Sequence, residues 1–170
     1  AKAAKKGMES LEGIGMNVGS PIQVMLALKV DTIDEAFETV GKPAAIEFKY
    51  DGFRIQAHKD EKGKITLFTR RLEDVTKQFP DVVNFIKKNV KGKGFIIDSE
   101  AVGYNKKTGK YLPFQSISQR IKRKYDIEKM SRDFPVEVNV FDIICYDGKS
   151  MLDEGFEKRR KLIEKIIRQE

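Results

Sequence analysis

Three short runs of alternating polar and apolar residues limit the fold of this chain more than any other feature. They are AAIEFKY (44–50), FRIQAHK (53–59) and KITLFTR (64–70). The first two meet at Asp51-Gly52, a dipeptide that tolerates the positive φ values of a tight hairpin, and the polar stretch DEKGK joins the second run to the third. Because side chains alternate between the two faces of a strand, the pattern predicts a three-stranded antiparallel meander over residues 44–70.

Apolar spacing and capping residues predict further elements around this meander. They are a helix capped by Asp31 or Thr32 and ended by Gly41, a helix opened by Pro80, a partly helical stretch over 116–125, a helix over 156–170, and strands over 95–104 and 135–147. The strands have mostly short connections, which is typical of antiparallel pairing. The sequence therefore predicts an α+β fold of antiparallel β-sheets with flanking helices.

The balance of charges favours an anionic partner. The chain has 33 Lys and Arg residues against 26 Asp and Glu residues, a net charge of +7 that suits a nucleic acid or a nucleotide. With one histidine, His58, and one cysteine, Cys145, an internal disulfide and a site of several histidines are excluded. We expect Cys145 in the core and His58 on the surface or at the edge of a strand. No apolar run approaches the ~18 residues that cross a bilayer, so we expect an intracellular protein without a membrane partner, cytoplasmic in a prokaryote and nuclear in a eukaryote.

Charged side chains interrupt three of the predicted strands. Glu47 and Lys49 share one strand face, Asp98 and Glu100 share another amid apolar neighbours, and Asp142 lies within the last strand. Isolated buried charges are costly, so such residues are usually paired or line a polar cavity. Two interpretations stay open from the pattern itself. The charges gather around one polar cleft, or they face solvent and form structural ion pairs.

A set of motifs in this sequence resembles a known family. Lys49-Tyr50-Asp51-Gly52 resembles the KxDG motif of the covalent nucleotidyltransferases, which comprise DNA ligases, RNA ligases and mRNA capping enzymes. The longer motifs are PIQVMLA (21–27), EFKYDGFR (47–54), FTRRLEDVT (68–76), FIIDSEAVGY (95–104) and VFDIICYDG (140–148). Their order and spacing resemble the ATP-dependent DNA ligases of archaeal and eukaryotic type, and the resemblance implies the nucleotidyltransferase-like fold of those enzymes.

The resemblance implies an enzyme that seals nicks in double-stranded DNA, the reaction needed in DNA replication, repair and recombination. A lysine attacks the α-phosphorus of ATP, AMP passes to the 5′-phosphate at the nick, and the 3′-hydroxyl then displaces AMP. The implied cofactors are ATP and Mg²⁺ or another divalent cation.

The resemblance also assigns roles to six residues, one of them catalytic. Lys49 would form the covalent bond to AMP. The nucleotide would be bound by Glu47 at the adenine amino group, Arg54 at the ribose, Arg70 at the adenylate or nick phosphate, Glu100 at the ribose hydroxyl or at a metal, and Phe141 stacked on the adenine. Each residue type suits its contact, since a guanidinium matches a phosphate and an aromatic ring stacks on a base.

Basic residues between Tyr104 and Lys124 indicate contact with a phosphate backbone. Lysines and arginines, Arg120 among them, occur there without any acidic residue. Together with the resemblance, this predicts a nucleic-acid-binding set of Arg70, Arg71, Lys122, Arg123 and Lys124. The alternative interpretation is a solvated surface, which charge runs usually are.

The resemblance covers only part of a ligase. Residues 1–20 are predicted to be a linker or N-terminal extension, and residues 21–170 the N-terminal part of an adenylation domain. The family's later lysine-rich and glutamate motifs and its OB-fold domain are not found, so we expect a piece of a larger enzyme that by itself seals nicks weakly or not at all and leaves some apolar surface uncovered. A sliding clamp is an expected partner of the parent enzyme. The alternatives are an RNA ligase or capping-type enzyme, or a non-catalytic basic module that binds nucleic acid.

Overall fold

One antiparallel sheet organises the part of the chain that the computed structural model describes, residues 17–169. The strands are β1 (Phe53–Lys59), β2 (Ile65–Thr69), β3 (Phe95–Tyr104), β4 (Tyr111–Leu112), β5 (Val136–Tyr146) and β6 (Lys149–Ser150). The helices are α1 (Ile33–Val40), α2 (Pro80–Asn89), α3 (Phe114–Lys122), α4 (Ile127–Asp133) and α5 (Phe156–Ile166), with a 3-10 helix at Thr76–Gln78. The strand order is β2-β1-β3-β5-β6, and β4 pairs with the end of β3. The α+β prediction is confirmed.

Several elements begin and end where local residue chemistry predicts. Thr32 caps α1 in a reciprocal capping box with Glu35, and Gly41 ends the helix at a φ of 82°. Asp147 and Gly148 both have positive φ, 45° and 82°, so they form the tight turn between β5 and β6. Within residues 17–169, no helix is both long and apolar enough to pass through a membrane.

The predicted strand over residues 44–50 does not form, so the meander prediction is wrong at its first strand. A strand needs partners for its backbone groups, and both edges of β1 are occupied. Ile55 of β1 lies opposite Thr69 of β2 on one side and opposite Ser99 of β3 on the other. Residues 44–50 therefore run outside the sheet, and Phe48 is 85% exposed. This agrees with the expectation of uncovered apolar surface.

One face of the sheet is apolar and packs against helices, and we call it the helix face. Alternate residues of β1 point into it, such as Ile55 and Ala57, and neither has any exposed surface. α2, α3 and α5 cover these residues through Ile86, Ile117 and Ile163. Burial of apolar area at about 25 cal/mol per Å² makes this layer the main source of stability.

Arg120 lies inside this helix layer, so its placement among phosphate-contacting residues is wrong. Its side chain is fully buried and donates two hydrogen bonds, of 2.6 and 3.0 Å, to the Asp81 carboxylate. It also donates to the carbonyl oxygens of Gln78 and Phe134, and its guanidinium carbon lies 4.3 Å from the centroid of the Phe79 ring. These contacts join α3 to α2 and to the end of α4, which makes Arg120 structural.

The opposite face of the sheet, the open face, carries the polar side chains of β1, and an N-terminal segment covers one end of it. Residues 17–22 lie over this end. The Gln56 side chain accepts a hydrogen bond from the backbone N–H of Ile22 at 2.8 Å and donates to its carbonyl oxygen at 3.3 Å. Val18 and Ile22 pack against a buried cluster that contains Cys145, which is 3% exposed as predicted.

His58 is buried beneath the same segment, so the prediction of a surface or strand-edge position is wrong. It is 1% exposed because β1 is an inner strand and residues 17–22 close over it. Its Nδ1 accepts from the Gly19 N–H at 3.0 Å, which places the ring proton on Nε2, 2.8 Å from Oε1 of Gln56. Burial lowers the pKa of His58 to about 4.

Candidate functional site

The uncovered end of the open face opens into a cleft that gathers the predicted site residues. All six residues to which the resemblance assigned catalytic or nucleotide-binding roles line the same cavity: Glu47, Lys49, Arg54, Arg70, Glu100 and Phe141. The cavity measures about 2670 Å³ and extends to residues of the helix layer such as Ile163, so it is much larger than a nucleotide needs. Of the strand charges, Glu47, Lys49 and Glu100 share this cleft, whereas Asp98 and Asp142 form ion pairs with arginines, so each of the two interpretations holds for part of the set.

Gly52 brings the lysine-bearing segment against β3. A Cβ atom at this position would collide with the carbonyl oxygen of Ala101 and come within 3.0 Å of the Glu100 Cγ. Gly52 is not among the residues with positive φ, so the predicted reason for a glycine here, a tight hairpin, is wrong. The glycine is required by the close approach of two backbones.

Lys49 lies at the edge of the cleft, with its side chain exposed. Its Nζ donates to the carbonyl oxygen of Tyr50 at 3.3 Å. Its positive charge acts on the carboxylate of Glu100 across the cleft. An exposed amine within electrostatic range of a half-buried carboxylate is accessible to a ligand that enters from solvent.

Glu100 is the half-buried carboxylate of the cleft. Burial raises its pKa, and the charges of Lys49 and Arg54 together with a hydrogen bond from the Gly52 N–H oppose that shift without cancelling it. A carboxylate in this position gains from each additional cation or hydrogen-bond donor. Glu100 is therefore suited to accept a hydroxyl hydrogen bond or to share a cation with a ligand.

Arg54 is held on two sides. Its Nε and Nη2 donate to the two carboxylate oxygens of Asp98, at 2.9 and 2.6 Å, and this ion pair raises the pKa of Arg54. The guanidinium carbon lies 5.4 Å from the centroid of the Phe141 ring. Sequence reasoning missed this pair because it depends on the register of β1 and β3. In that register Gln56 lies opposite Asp98, so Arg54 reaches Asp98 diagonally across the two strands.

The comparison with known protein families identifies the chain. Residues 24–170 match the family described as "ATP dependent DNA ligase domain". The chain belongs to this family. It is 54% identical over 166 residues to the DNA ligase of Nanoarchaeum equitans, a match that covers 97% of this chain and 29% of that protein. It is 41% identical over 164 residues to the DNA ligase of Saccharolobus solfataricus, with 96% of this chain and 27% of that protein covered.

A solved structure agrees with the ligase assignment. The ligase domain from M. tuberculosis LigD is 27% identical, with a TM-score of 0.50, and the match covers 70% of this chain and 35% of that chain. The predicted ligase nucleotidyltransferase-like fold is thus confirmed. The chain spans less than a third of the length of the two archaeal relatives, which agrees with a part of a ligase.

Asp142 is not among the residues that line the cleft. It accepts two hydrogen bonds from Arg159 of α5, at 2.8 and 3.1 Å. The alternation of strand residues is interrupted at Phe141, because Val140 lies opposite Ser99 while Asp142 lies opposite Asp98. The pairing of Asp142 with Arg159 depends on how α5 packs on β5, which no local pattern shows.

Four of the five predicted nucleic-acid-binding residues line the cavity: Arg70, Arg71, Lys122 and Lys124. Arg123 does not line it, and its guanidinium pairs with the exposed Asp126 at 3.3 Å. The exposed cations of the cavity wall therefore extend from β2 to the end of α3. Their contact with nucleic acid stays a prediction.

The described residues supply few ligands for a divalent cation. Among residues 17–169 there is no group of three or more His, Cys, Asp or Glu side chains arranged to hold a metal. Mg²⁺ commonly binds one or two carboxylates and completes its coordination shell with water and substrate phosphates. Glu100 could therefore serve as the single protein ligand of such a site. The metal assignment of Glu100 stays a prediction.

Proposed function

We propose that residues 21–170 form the N-terminal part of the adenylation domain of an ATP-dependent DNA ligase, in which Lys49 becomes covalently joined to AMP. The Lys49 ammonium first loses a proton to solvent. The neutral Nζ then attacks the α-phosphorus of ATP, a bond from nitrogen to phosphorus forms, the bond to the leaving pyrophosphate breaks, and the nitrogen gives up a second proton. AMP then passes to the 5′-phosphate at a nick in double-stranded DNA. The 3′-hydroxyl of the neighbouring strand displaces AMP and closes the strand.

The observation that carries this proposal is the position of Lys49 at the mouth of the cleft, with its charge acting on Glu100. Gly52 sets that position because it lets the segment approach β3. A nucleotide in the cleft would meet a nucleophile, a carboxylate and a fixed guanidinium from two distant parts of the chain. Such convergence of reactive groups in one cavity is typical of an active site.

The remaining residues of the cleft take the roles that their chemistry suits. Phe141 offers a ring face to the adenine, and Glu47 an acceptor to its amino group. Arg54 donates to the ribose, and Glu100 accepts from a ribose hydroxyl. Arg70 contacts the phosphate of the adenylate or of the nick through its planar fork.

Glu100 would hold a divalent cation, which would neutralise charge on the nucleotide phosphates. The half-buried carboxylate of Glu100, with a pKa raised by burial, is a suitable oxygen ligand for it. This chain's own contribution is to orient the nucleotide and present the Lys49 amine to it.

The partner of this site is nicked double-stranded DNA. Arg70, Arg71, Lys122 and Lys124 supply positive charge around the cavity for the phosphate backbone, with Arg123 nearby on the surface. A sliding clamp is proposed as a partner of the whole enzyme. Because the substrate is DNA, we infer an intracellular location, the cytoplasm in a prokaryote. The isolated chain is expected to seal nicks weakly or not at all.

Intact mass spectrometry after incubation with ATP and Mg²⁺ tests the proposal. In the protein at its full natural length, we expect one AMP per molecule in the wild type and none in Lys49→Ala. Lys62→Ala, which removes an exposed lysine near the far end of β1, is the matched control and should retain AMP. Absence of AMP from the wild type, or AMP on Lys49→Ala, would refute the proposed nucleophile.

Two further comparisons separate this ligase from the alternatives. Labelling by GTP in preference to ATP would favour a capping-type enzyme, and sealing of nicked RNA in preference to nicked DNA would favour an RNA ligase. If Lys49→Ala binds DNA normally while the wild type acquires no AMP under any condition, the chain is a basic nucleic-acid-binding module.

A further inference from the structure

Asp98 is a buried carboxylate next to the cleft that does not itself reach the cavity. It is 2% exposed, and it is not one of the residues that line the cavity. Both of its oxygens accept hydrogen bonds from Arg54, at 2.9 Å from Nε and 2.6 Å from Nη2. A buried carboxylate is tolerated when it is paired in this way. Any effect of Asp98 on a ligand must therefore act through Arg54.

The bidentate pair leaves part of Arg54 available. A guanidinium has five N–H donors, and Asp98 engages the one on Nε and one on Nη2. Three donors on the terminal nitrogens stay available to a ligand in the cavity, which the Arg54 side chain reaches with 29% of its surface exposed. Phe141 lies against the guanidinium, with its ring centroid 5.4 Å from the guanidinium carbon.

Asp98 also decides which carboxylate Arg54 engages. Glu100 lies directly opposite Arg54 in the register of β1 and β3, so it is the default cross-strand partner of this arginine. Asp98 is two residues away along β3, yet it takes the hydrogen bonds and exerts the largest effect on the pKa of Arg54. Glu100 is thereby left for Lys49 and for a ligand.

We infer that Asp98 is a positioning residue, which fixes the Arg54 guanidinium beside Phe141 so that its remaining donors face the bound nucleotide while the Glu100 carboxylate is not hydrogen-bonded to Arg54. The inference rests on the proposed function, since it concerns how the same cleft binds ATP. Asp98 contacts no substrate itself and contributes through the orientation of Arg54.

The kinetics of adenylate formation test the inference, with the full-length protein and variable ATP. Loss of a charge-assisted pair is expected to raise the KM for ATP of Asp98→Asn by about 10-fold. Its maximal rate should fall by less than about 3-fold, because the attacking amine is untouched. In an Arg54→Gln background, Asp98→Asn should have no further effect, as expected of two residues that act as a unit.

Asp142→Asn is the matched control, because Asp142 lies opposite Asp98 on the neighbouring strand β5 and makes another bidentate pair, with Arg159 of α5. Of the three carboxylates that act on Arg54, Asp142 has the smallest effect, so its KM for ATP should stay within about 2-fold. If Asp142→Asn raises KM as much as Asp98→Asn does, or if Asp98→Asn lowers the maximal rate without changing KM, the positioning role is wrong.

The NMR signal of the Arg54 Nε–H separates failure of this inference from failure of the proposed function. We expect slow solvent exchange of this proton in the wild type and fast exchange in Asp98→Asn. Fast exchange in the wild type overturns the inference whether or not AMP becomes bound. Slow exchange with no AMP on the wild type refutes the proposed function, whereas normal adenylation with an unchanged KM in Asp98→Asn refutes only the positioning role.

Discussion

Arg120 on the helix face and Arg54 on the open face make the same kind of ion pair and have different consequences. Each donates two hydrogen bonds to one aspartate, and the shortest is 2.6 Å in both pairs. Arg120 is fully enclosed and also binds two backbone carbonyl groups, so its donors join helices to one another. Arg54 keeps donors directed to a cavity. The surroundings of an ion pair, and not its geometry, decide whether it stabilises the fold or prepares a site.

This contrast extends to the two faces as a whole. The helix face is closed by α2, α3 and α5 over a continuous apolar layer. The open face is covered at one end by residues 17–22 and open at the other end, where Lys49 lies. Variants of the helix face should therefore mainly change the free energy of unfolding, while variants at the uncovered end should mainly change nucleotide chemistry.

The largest expected effect on stability comes from Phe79→Ala on the helix face. Phe79 has no exposed surface and packs against Phe53 with ring centroids 4.8 Å apart. Its removal leaves a cavity and should cost about 4 kcal/mol in the free energy of unfolding, measured by denaturant titration. Phe48→Ala is the control, since Phe48 is 85% exposed and should change this free energy by less than about 0.5 kcal/mol. Equal losses in the two variants would contradict the contrast between the faces.

The next largest effect concerns pH and the covered end of the open face. The pKa of His58 is about 4 in the folded protein and about 6.5 when unfolded, so the folded state binds fewer protons between these values. The stabilisation is complete above pH 6.5 and is lost as the pH falls towards 4. Between pH 7 and 4, the wild type should lose about 3 kcal/mol more unfolding free energy than His58→Gln, since one pKa unit corresponds to about 1.4 kcal/mol.

Denaturant titrations of both proteins across this pH range measure the His58 effect. The carboxylates titrate in both proteins, so the difference between the two curves isolates the histidine. The protection factor of the Gly19 N–H against hydrogen exchange should decrease over the same range, because protonated Nδ1 no longer accepts its hydrogen bond. Parallel curves for the two proteins would show that residues 17–22 do not bury this ring in solution.

A smaller loss of stability with a larger loss of activity is expected from Gly52→Ala at the cleft. The new Cβ would meet the Ala101 carbonyl oxygen, a backbone atom that cannot move aside easily. Overpacking of this kind should lower the free energy of unfolding by about 2 kcal/mol. Because the lysine-bearing segment is displaced, the rate of AMP transfer to Lys49 should fall much more in this variant than in the control. Gly155→Ala is the matched control, because a Cβ there has open space. Equal adenylation rates in the two variants would contradict the inference that Gly52 positions Lys49.

The smallest effect on stability is expected from Lys122→Gln combined with Lys124→Gln at the cavity wall. Both residues are exposed, so the free energy of unfolding should change by less than about 0.5 kcal/mol. If both contact DNA phosphates, the slope of log affinity against log salt should decrease in magnitude by up to about 0.9 per lysine. Lys62→Gln in the β1–β2 loop should leave the slope unchanged. The same slope in the wild type and both variants would show that Lys122 and Lys124 face solvent and do not contact DNA.

Local chemistry in the sequence was enough to predict most of the helices and strands. The strand at 95–104, the helix begun by Pro80 and the capped helix ended by Gly41 all follow from short-range patterns. The motif residues Lys49, Arg54 and Glu100 were identified through the family resemblance and line one cavity. Their catalytic and binding roles stay predictions.

Long-range pairing explains what sequence reasoning missed. The run over 44–50 alternates like a strand, yet β3 takes the edge of β1 that it would have needed. In the sequence, Arg120 cannot be distinguished from the other basic residues between Tyr104 and Lys124. The partners that enclose it, such as Asp81, are distant in the chain. His58 is buried by residues 17–22, almost forty positions earlier. In each case a distant segment changed the surroundings of a residue whose local pattern gave no sign of it.

The sequence alone determined the α+β class, the position of most strands and helices, and the ligase family, because these depend on side-chain alternation, capping residues and motif order. Tertiary structure alone decided which charges are buried, which carboxylate pairs with Arg54 and why Gly52 must be a glycine. The free energy of a charge or a Cβ depends on the atoms around it, and strand register and helix packing supply those atoms from far along the chain.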